Sequence, residues 1–438
     1  MVMQQKMGGW GMGFDLPTVR LGEHVDACLG KMLDAKKNKG SPQPYLGNSN
    51  VRWGQFDLAD LAEMKFEPHE EERYSLLPGD LVVCEGGEPG RCAIWTGPPG
   101  MKIQKALHRI RPKKSLDNYF LFYWFQLAAK QGTLEPHFTG TTIKHLTGKA
   151  IAALDVPLPP VEVQRAMVDV LKQLDGRITL LRETNATLEA IAQTLFKSWF
   201  VDFDPVRAKM EGRPPAGMDE ATAALFPDSF EESELDLVPR GWRVIALDEI
   251  ANYLNGLALQ KFPATGQDDL PVIKIAQLRK GDSVGADMAS RNIKPEYIIQ
   301  NGDVLFSWSG SLEVAIWCGG EGALNQHLFK VTSTNYPKWL YYLWTRHHLE
   351  HFRQVAASKA TTMGHIQRAH LSGAKVFVPP KEVLLAANTV LQPIIERLIE
   401  TALQAQTLST LRDTLLPRLI SGQLRLREAE QQVEEALA

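Results

Sequence analysis

The chain repeats itself at a distance of about half its length, and this constrains the fold more than any other feature of the sequence. Thr141-Thr142-x-x-His145 returns as Thr361-Thr362-x-x-His365 at an offset of 220, and Pro159-Pro160 returns as Pro379-Pro380 at the same offset. Upstream, Leu121-x-Tyr123 matches Leu340-x-Tyr342 at 219, Gly79-Asp80 matches Gly302-Asp303 at 223, and Leu21-Gly-Glu23 matches Leu247-Asp-Glu249 at 226. Five matches in one order, drifting only as far as small insertions allow, imply a duplication within the 438 residues. Any fold for this chain must use one design twice.

Each copy changes periodicity part of the way along. The earlier parts, about 14–158 and 239–378, hold short apolar runs bounded by Gly, Pro and Asp. Pro78-Gly-Asp80-Leu-Val-Val-Cys84 and Asn301-Gly-Asp303-Val-Leu-Phe306 each read as a turn followed by a strand. One helical candidate interrupts the strands in each copy, Tyr119 to Gln131 and Lys338 to Gln354. After each double proline the pattern becomes helical. Met167, Leu171, Leu174, Ile178, Leu181, Asn185, Leu188, Ala192, Leu195 and Trp199 follow alternating steps of four and three, the spacing of a coiled-coil seam. Ala387, Leu391, Ile394, Leu398, Thr401, Ala405, Leu408, Arg412, Leu415 and Leu419 repeat that register at 220. A helix from Glu162 to Phe200 would be about 58 Å long at 1.5 Å per residue, a rod that no single globular part needs. Pairing the two helices buries both seams, with Asn185 as the polar residue that fixes register, and Pro393 predicts a late start or a bend in the second.

The fold class expected is therefore α+β: two mixed α/β domains separated by a long antiparallel two-helix coiled coil, a pseudo-two-fold repeat of about 220 residues. The segments are 1–158, the first globular domain; 159–212, a central helix; 213–238, an acidic linker; 239–378, the second globular domain; 379–426, a C-terminal helix; and 427–438, an acidic tail.

A net charge of −3 argues against a nucleic-acid partner until its distribution is read. Eight acids (Glu211, Asp219, Glu220, Asp228, Glu231, Glu232, Glu234, Asp236) face only Arg213 in one stretch, and four glutamates face only Arg427 at the end. The rest of the chain is net positive. Lys102, Lys105, Arg109, Arg111, Lys113 and Lys114 form a run of cations without an acid, and Lys338, Arg346, Arg353, Lys359, Arg368 and Lys375 form a second, interrupted by Glu350. Such clusters suit phosphates. Antiparallel helices carrying a globular part each suit a duplex with two inverted half-sites, which differ because the two parts differ. Thr141, Thr142, Lys144 and His145, with Thr361, Thr362, His365 and Arg368 in the other copy, supply hydroxyls, imidazoles and cations for phosphates or base edges. Gly86-Gly-Glu-Pro-Gly90 and Ser307-Trp-Ser309-Gly-Ser311 occupy equivalent loops directly after a strand, where differences in recognition are expected.

Enzyme readings fail on residues. There is no G-x-x-x-x-G-K-[ST], no G-x-S-x-G and no Asn- or Asp-Pro-Pro-aromatic signature, and Glu63-Met64-Lys65 has no partner acid placed for a nuclease. His347 and His351, four apart on the expected helix, lack the H-E-x-x-H context of a metal site. Cys28, Cys84, Cys92 and Cys318 contain no C-x-x-C and are expected to be reduced thiols. The longest strongly apolar run, Tyr119 to Phe125, falls far short of the roughly 20 residues of a membrane span. With no signal-like N-terminus, a cytoplasmic protein is expected.

Leu195-Phe-Lys-Ser-Trp199-Phe200-Val-Asp-Phe203-Asp-Pro205 and Leu411-Arg-Asp-Thr-Leu415-Leu-Pro-Arg-Leu419-Ile-Ser-Gly422 resemble the conserved helical regions of type I restriction-modification specificity subunits. The order of variable domain, helix, variable domain, helix resembles that family over essentially the whole chain. The resemblance implies that each globular part is a target recognition domain reading one half of a bipartite site in double-stranded DNA. It also implies that the helices set the spacing and bind two methyltransferase subunits, here through Trp199, Phe200, Phe203, Leu415 and Leu419. Those subunits would bring S-adenosylmethionine and flip the target adenine, and motor-nuclease subunits would join for cleavage. This chain would then carry no catalytic residue, metal or cofactor of its own. The competing expectation is a coiled-coil scaffold or decoy that binds the methyltransferase without reading DNA.

Overall fold

The computed structural model describes residues 16–34, 38–233, 237–358 and 364–437. These fall into two compact units. The first comprises the described residues up to Arg177 together with those from Leu408 onward; the second is Ile178–Thr407. Both long helices are thus shared, each unit holding part of each.

In the first unit a four-stranded antiparallel sheet runs in the order Val25–Leu29, Leu107–Pro112, Leu81–Cys84, Cys92–Ile94. A three-stranded sheet, Ala62–Phe66, Ser41–Leu46 and Lys102–Ile103, lies beside it in the chain, and a short pair joins Thr18–Arg20 to Asp155–Pro157. The turn before Leu81 follows the sequence chemistry. Gly79 takes φ +95°, a left-handed value that a side chain resists, and Asp80 accepts the Leu77 N–H at 2.7 Å. The Leu-Val-Val-Cys strand that follows is buried on both faces.

The second unit repeats this plan. Its sheet order is Asn252–Asn255, Leu328–Thr332, Val304–Ser307, Val314–Ile316, and Arg243–Ala246 pairs with Lys375–Val378. Gly302 takes φ +87° and Asp303 accepts the Gln300 N–H at 2.8 Å. The equivalence reaches single bonds. Leu21 N–H donates to Leu154 O at 2.9 Å as Leu247 N–H donates to Ala374 O at 2.8 Å. Trp95 Nε1 donates to Pro98 O as Trp317 Nε1 donates to Gly320 O.

The long helices are Val161–Phe196 and Lys381–Ile420. The first gives way to a π-helical turn, Lys197–Val201, then to Phe203 at φ +58° and a short helix Asp204–Met210. The second begins at Lys381 and runs through Pro393, not late as Pro393 led us to expect; Ile395 rather than Ile394 is the buried seam residue beyond it. In the first unit Arg412 Nη1 meets Asp175 Oδ1 at 2.8 Å, pairing the early part of one helix with the late part of the other. In the second unit the Thr401 hydroxyl, 1% exposed, donates to Asn185 Oδ1. The pairing is therefore antiparallel, and the polar seam residue is satisfied across it.

Three expected elements differ. The helix foreseen over Lys338 to Gln354 breaks at His348 into Lys338–His347 and Leu349–Ser358. The acidic stretch between the copies carries a helix, Glu220–Leu225, capped by Asp219, a buried Phe226, and the strands Phe230–Glu232 and Leu237–Pro239. The acidic end forms the helix Leu426–Leu437, because Ala429 and Val433 fall one turn apart and are buried. Among the described residues no helix is long and apolar enough to cross a membrane.

Candidate nucleic-acid interface

Two features that are separate in sequence meet in each unit. In the first, Thr139 and His145 close a tight hairpin by reciprocal backbone bonds of 2.9 and 2.8 Å, turned by Gly140 at φ +93°. Leu146 N–H then donates to Glu85 O at 2.7 Å, which seats the His145 ring against Gly86. In the second, Ile366 N–H donates to Trp308 O at 2.9 Å, Gly310 N–H donates to Gly364 O, and His365 lies against the Trp308 ring. The histidine that ends each Thr-Thr-x-x-His segment thus docks on the loop after the same strand in both copies. Thr361, Thr362 and Lys359 lie outside the described residues.

A third loop completes each cluster. Lys105 N–H donates to Lys31 O as Gln326 N–H donates to Leu257 O, at 2.8 and 2.9 Å. A side chain at Gly30 or Gly256 would run into the Gln104 or Asn325 carbonyl, so glycine is required at both. In the second unit this loop brings three residues that sequence reasoning missed. Trp308 Nε1 donates to Asn255 Oδ1 at 3.0 Å, and Ser309 Oγ shares a hydrogen bond with His327 Nδ1 at 2.9 Å, beside Gln326. The signal for Gln326 and His327 was an offset of 221, which aligns Leu328 with Leu107 and hence Gln326 with Lys105, and for Asn255 the offset of 226 that aligns Gly256 with Gly30.

The exposed members of the first cluster are Lys105, Thr141, Thr142 and Lys144, with His145 half-buried. Several expected DNA contacts are instead internal. Lys102 is wholly buried, with its ammonium between Glu71 and the Ser75 hydroxyl. Arg109, 4% exposed, donates to Asp26 at 2.7 Å, and Arg111 binds buried Asp80 through two bonds of 2.7 and 2.8 Å. Arg346 pairs with Glu189 at 3.0 Å and donates to Val314 O. Lys102 and Arg109 are corrected to buried structural cations, and Arg111 and Arg346, with side chains 32% and 31% exposed, to cations already paired with a carboxylate, since a charge neutralised within the protein has less left to neutralise on DNA. Ser307 is fully buried and closes its own turn, donating to Ser311 O and accepting from Glu313 N–H. Ser309 is 4% exposed and serves to hold His327. Arg368 stays exposed at the residue level, with its guanidinium donating to Tyr253 O and lying over the Phe329 ring.

The expected partner-binding residues are also relocated. Trp199, Phe200 and Phe203 are buried in the core of the second unit, and Leu415 and Leu419 are fully buried in the first. Burial leaves none of them a surface to offer. The four cysteines are free thiols, and burial pushes Cys84 up to about 11.

His347 and His351 are separated by the helix break; burial lowers the pKa of His347, and His348 between them is the more strongly perturbed group. Its Nε2–H donates to Lys375 O at 2.9 Å, and burial, with the adjacent His347, pushes its pKa down to about 4. The unfolded imidazole binds a proton below about 6.5 while the folded one stays neutral, so the unfolded state binds more protons in that window. The second unit is therefore expected to lose stability as pH falls from about 6.5 to about 4. Thermal melts against pH check this, and His348→Gln should flatten the slope.

The model of the type I restriction modification DNA specificity domain matches the chain twice, over residues 18–190 and 239–411. The chain therefore belongs to the type I restriction-modification DNA specificity family and is a specificity subunit. It is 24% identical over 368 residues to the type I restriction enzyme MjaIX specificity subunit of Methanocaldococcus jannaschii, covering 80% of this chain and 78% of that protein. The HindI specificity subunit of Haemophilus influenzae is 25% identical over 333 residues, covering 65% of this chain and 72% of its own. A crystal structure of the S subunit from M. genitalium covers 93% of this chain and 97% of that one, with 15% identity and a TM-score of 0.49.

Proposed function

We propose that each unit reads one half of a bipartite, asymmetric target in double-stranded DNA. The paired helices fix the distance between the halves and dock two methyltransferase subunits, with motor-nuclease subunits joining for cleavage. Segments 1–158 and 239–378 are the readers in this scheme, and this chain supplies no catalytic group or cofactor. The observation that carries the reading is that one backbone scaffold presents different side chains at equivalent places. Lys105 stands where Gln326 stands, Glu85 stands where Trp308 stands, each accepting on its carbonyl from the residue after the histidine, and Gly86 stands where Ser309 stands. Lysine offers only donors, suiting guanine O6 and N7, whereas a glutamine amide both donates and accepts, suiting adenine N6 and N7. A scaffold that only held a methyltransferase would have no use for that contrast. The test is methylation by the complex assembled with its methyltransferase. Activity is expected only on duplexes with two different half-sites at one fixed spacing. Full activity on a single half-site, or indifference to spacer length, overturns the proposal.

A further inference from the structure

We propose that Ile143, at the tip of the Thr139–His145 hairpin, is a specificity-determining residue that reads a thymine by contact with its 5-methyl group. This rests on the reading that the first unit contacts DNA. Ile143 is 63% exposed, more than any other large apolar side chain among the described residues of the first unit. Its backbone is held from both sides. The Thr139 and His145 bonds close the hairpin, and the Leu146 to Glu85 bond fixes it to the strand-end loop. Gly140 at φ +93° sits where a side chain would strike the Ile143 carbonyl, so the turn admits little alternative. Isoleucine is also branched at Cβ and stiff at χ1, so fixing it against a partner costs little rotamer entropy. The result is a rigid apolar probe.

What that probe meets follows from its neighbours. Thr141, Thr142 and Lys144 flank it, all exposed, supplying hydroxyl donors and a cation for the phosphates on either side. Thymine's methyl is the one apolar group that base edges present in the major groove, and apolar side chains are its usual partners. The duplication adds an independent support. The offset of 220 puts Met363, outside the described residues, at the sequence position of Ile143, so an apolar residue follows the paired threonines in both copies.

The experiment uses the full chain assembled with its methyltransferase, on duplexes carrying the target mapped for the wild-type complex. Each thymine is replaced in turn by uracil, which removes only the methyl. At one thymine of one half-site the wild-type complex should lose about fourfold in affinity, the yield of burying one methyl-sized group. In the Ile143→Ala complex that replacement should change nothing further, while thymines of the other half respond as in wild type. The exposed Ile143→Ala chain should melt at the wild-type temperature. If no uracil replacement weakens wild-type binding, or if Ile143→Ala leaves the methyl effect intact, the proposal is overturned. A wild-type complex with no two-part target would instead overturn the reading beneath it.

Discussion

Phe200→Ala is expected to destabilise the second unit by about 3–5 kcal/mol, the cost of removing a fully buried aromatic ring that its surroundings cannot replace. Phe200 is 0% exposed, with ring centroids 5.4 Å from Phe196, 5.4 Å from Trp339 and 5.8 Å from Trp242. Offset aromatic contacts at these distances add to the area buried. The ring joins the end of the central helix to a helix and a strand-end residue of the recognition fold, so the cavity would open where several elements meet. The measurement is chemical unfolding of the isolated chain, followed by tryptophan fluorescence, since Trp242 and Trp339 border the site. A residue on a methyltransferase-docking surface would behave differently. It would leave the isolated chain's transition in place and weaken only assembly.

That contrast shows what sequence could and could not resolve. The aromatic cluster from Trp199 to Phe203 was legible as important and as marking a helix end, but apolar residues in a core and on an interface share one composition. The cations were harder. Arg109, Arg111 and Lys102 lie close together in the chain, whereas their carboxylates, Asp26, Asp80 and Glu71, are 83, 31 and 31 residues away. A charge run reveals its sign, not its partners. The duplication was the most legible feature because identical residues in the same order at nearly the same offset need no geometry to be recognised. It placed the turns at Gly79 and Gly302, the paired helices, and His145 and His365 at equivalent loops. Extended by a few residues it would also have found Gln326 and His327, whose position depends on backbone bonds rather than on identity with Lys105 and Ala106.

Glu70→Ala is expected to cost the first unit about 3–5 kcal/mol, because it strands a buried ammonium. Lys31 is 3% exposed at its side chain and Glu70 14%, and the Lys31 ammonium also donates to Lys65 O at 2.8 Å and lies 5.0 Å from the centre of the Phe66 ring. Burial alone would raise the Glu70 carboxyl, but hydrogen bonds from Lys31 and from the Glu67 N–H outweigh it and hold the group below its ordinary value. The pair's contribution is therefore present near neutrality and fades as pH falls through that lowered pKa, so acid should mimic the substitution. The duplication supplies the compensating change. Leu257 occupies the place of Lys31 in the second unit, and Ala323 that of Lys102, so the same scaffold folds there without either ammonium. Lys31→Leu combined with Glu70→Ala should accordingly recover most of the stability lost by Glu70→Ala alone, as measured by urea unfolding. Lys102→Met should leave the salt dependence of DNA binding at its wild-type slope, since a buried, paired ammonium neutralises no phosphate, whereas Lys105→Gln should reduce it. A changed slope in Lys102→Met would return that lysine to the DNA interface and contradict the burial on which the correction rests.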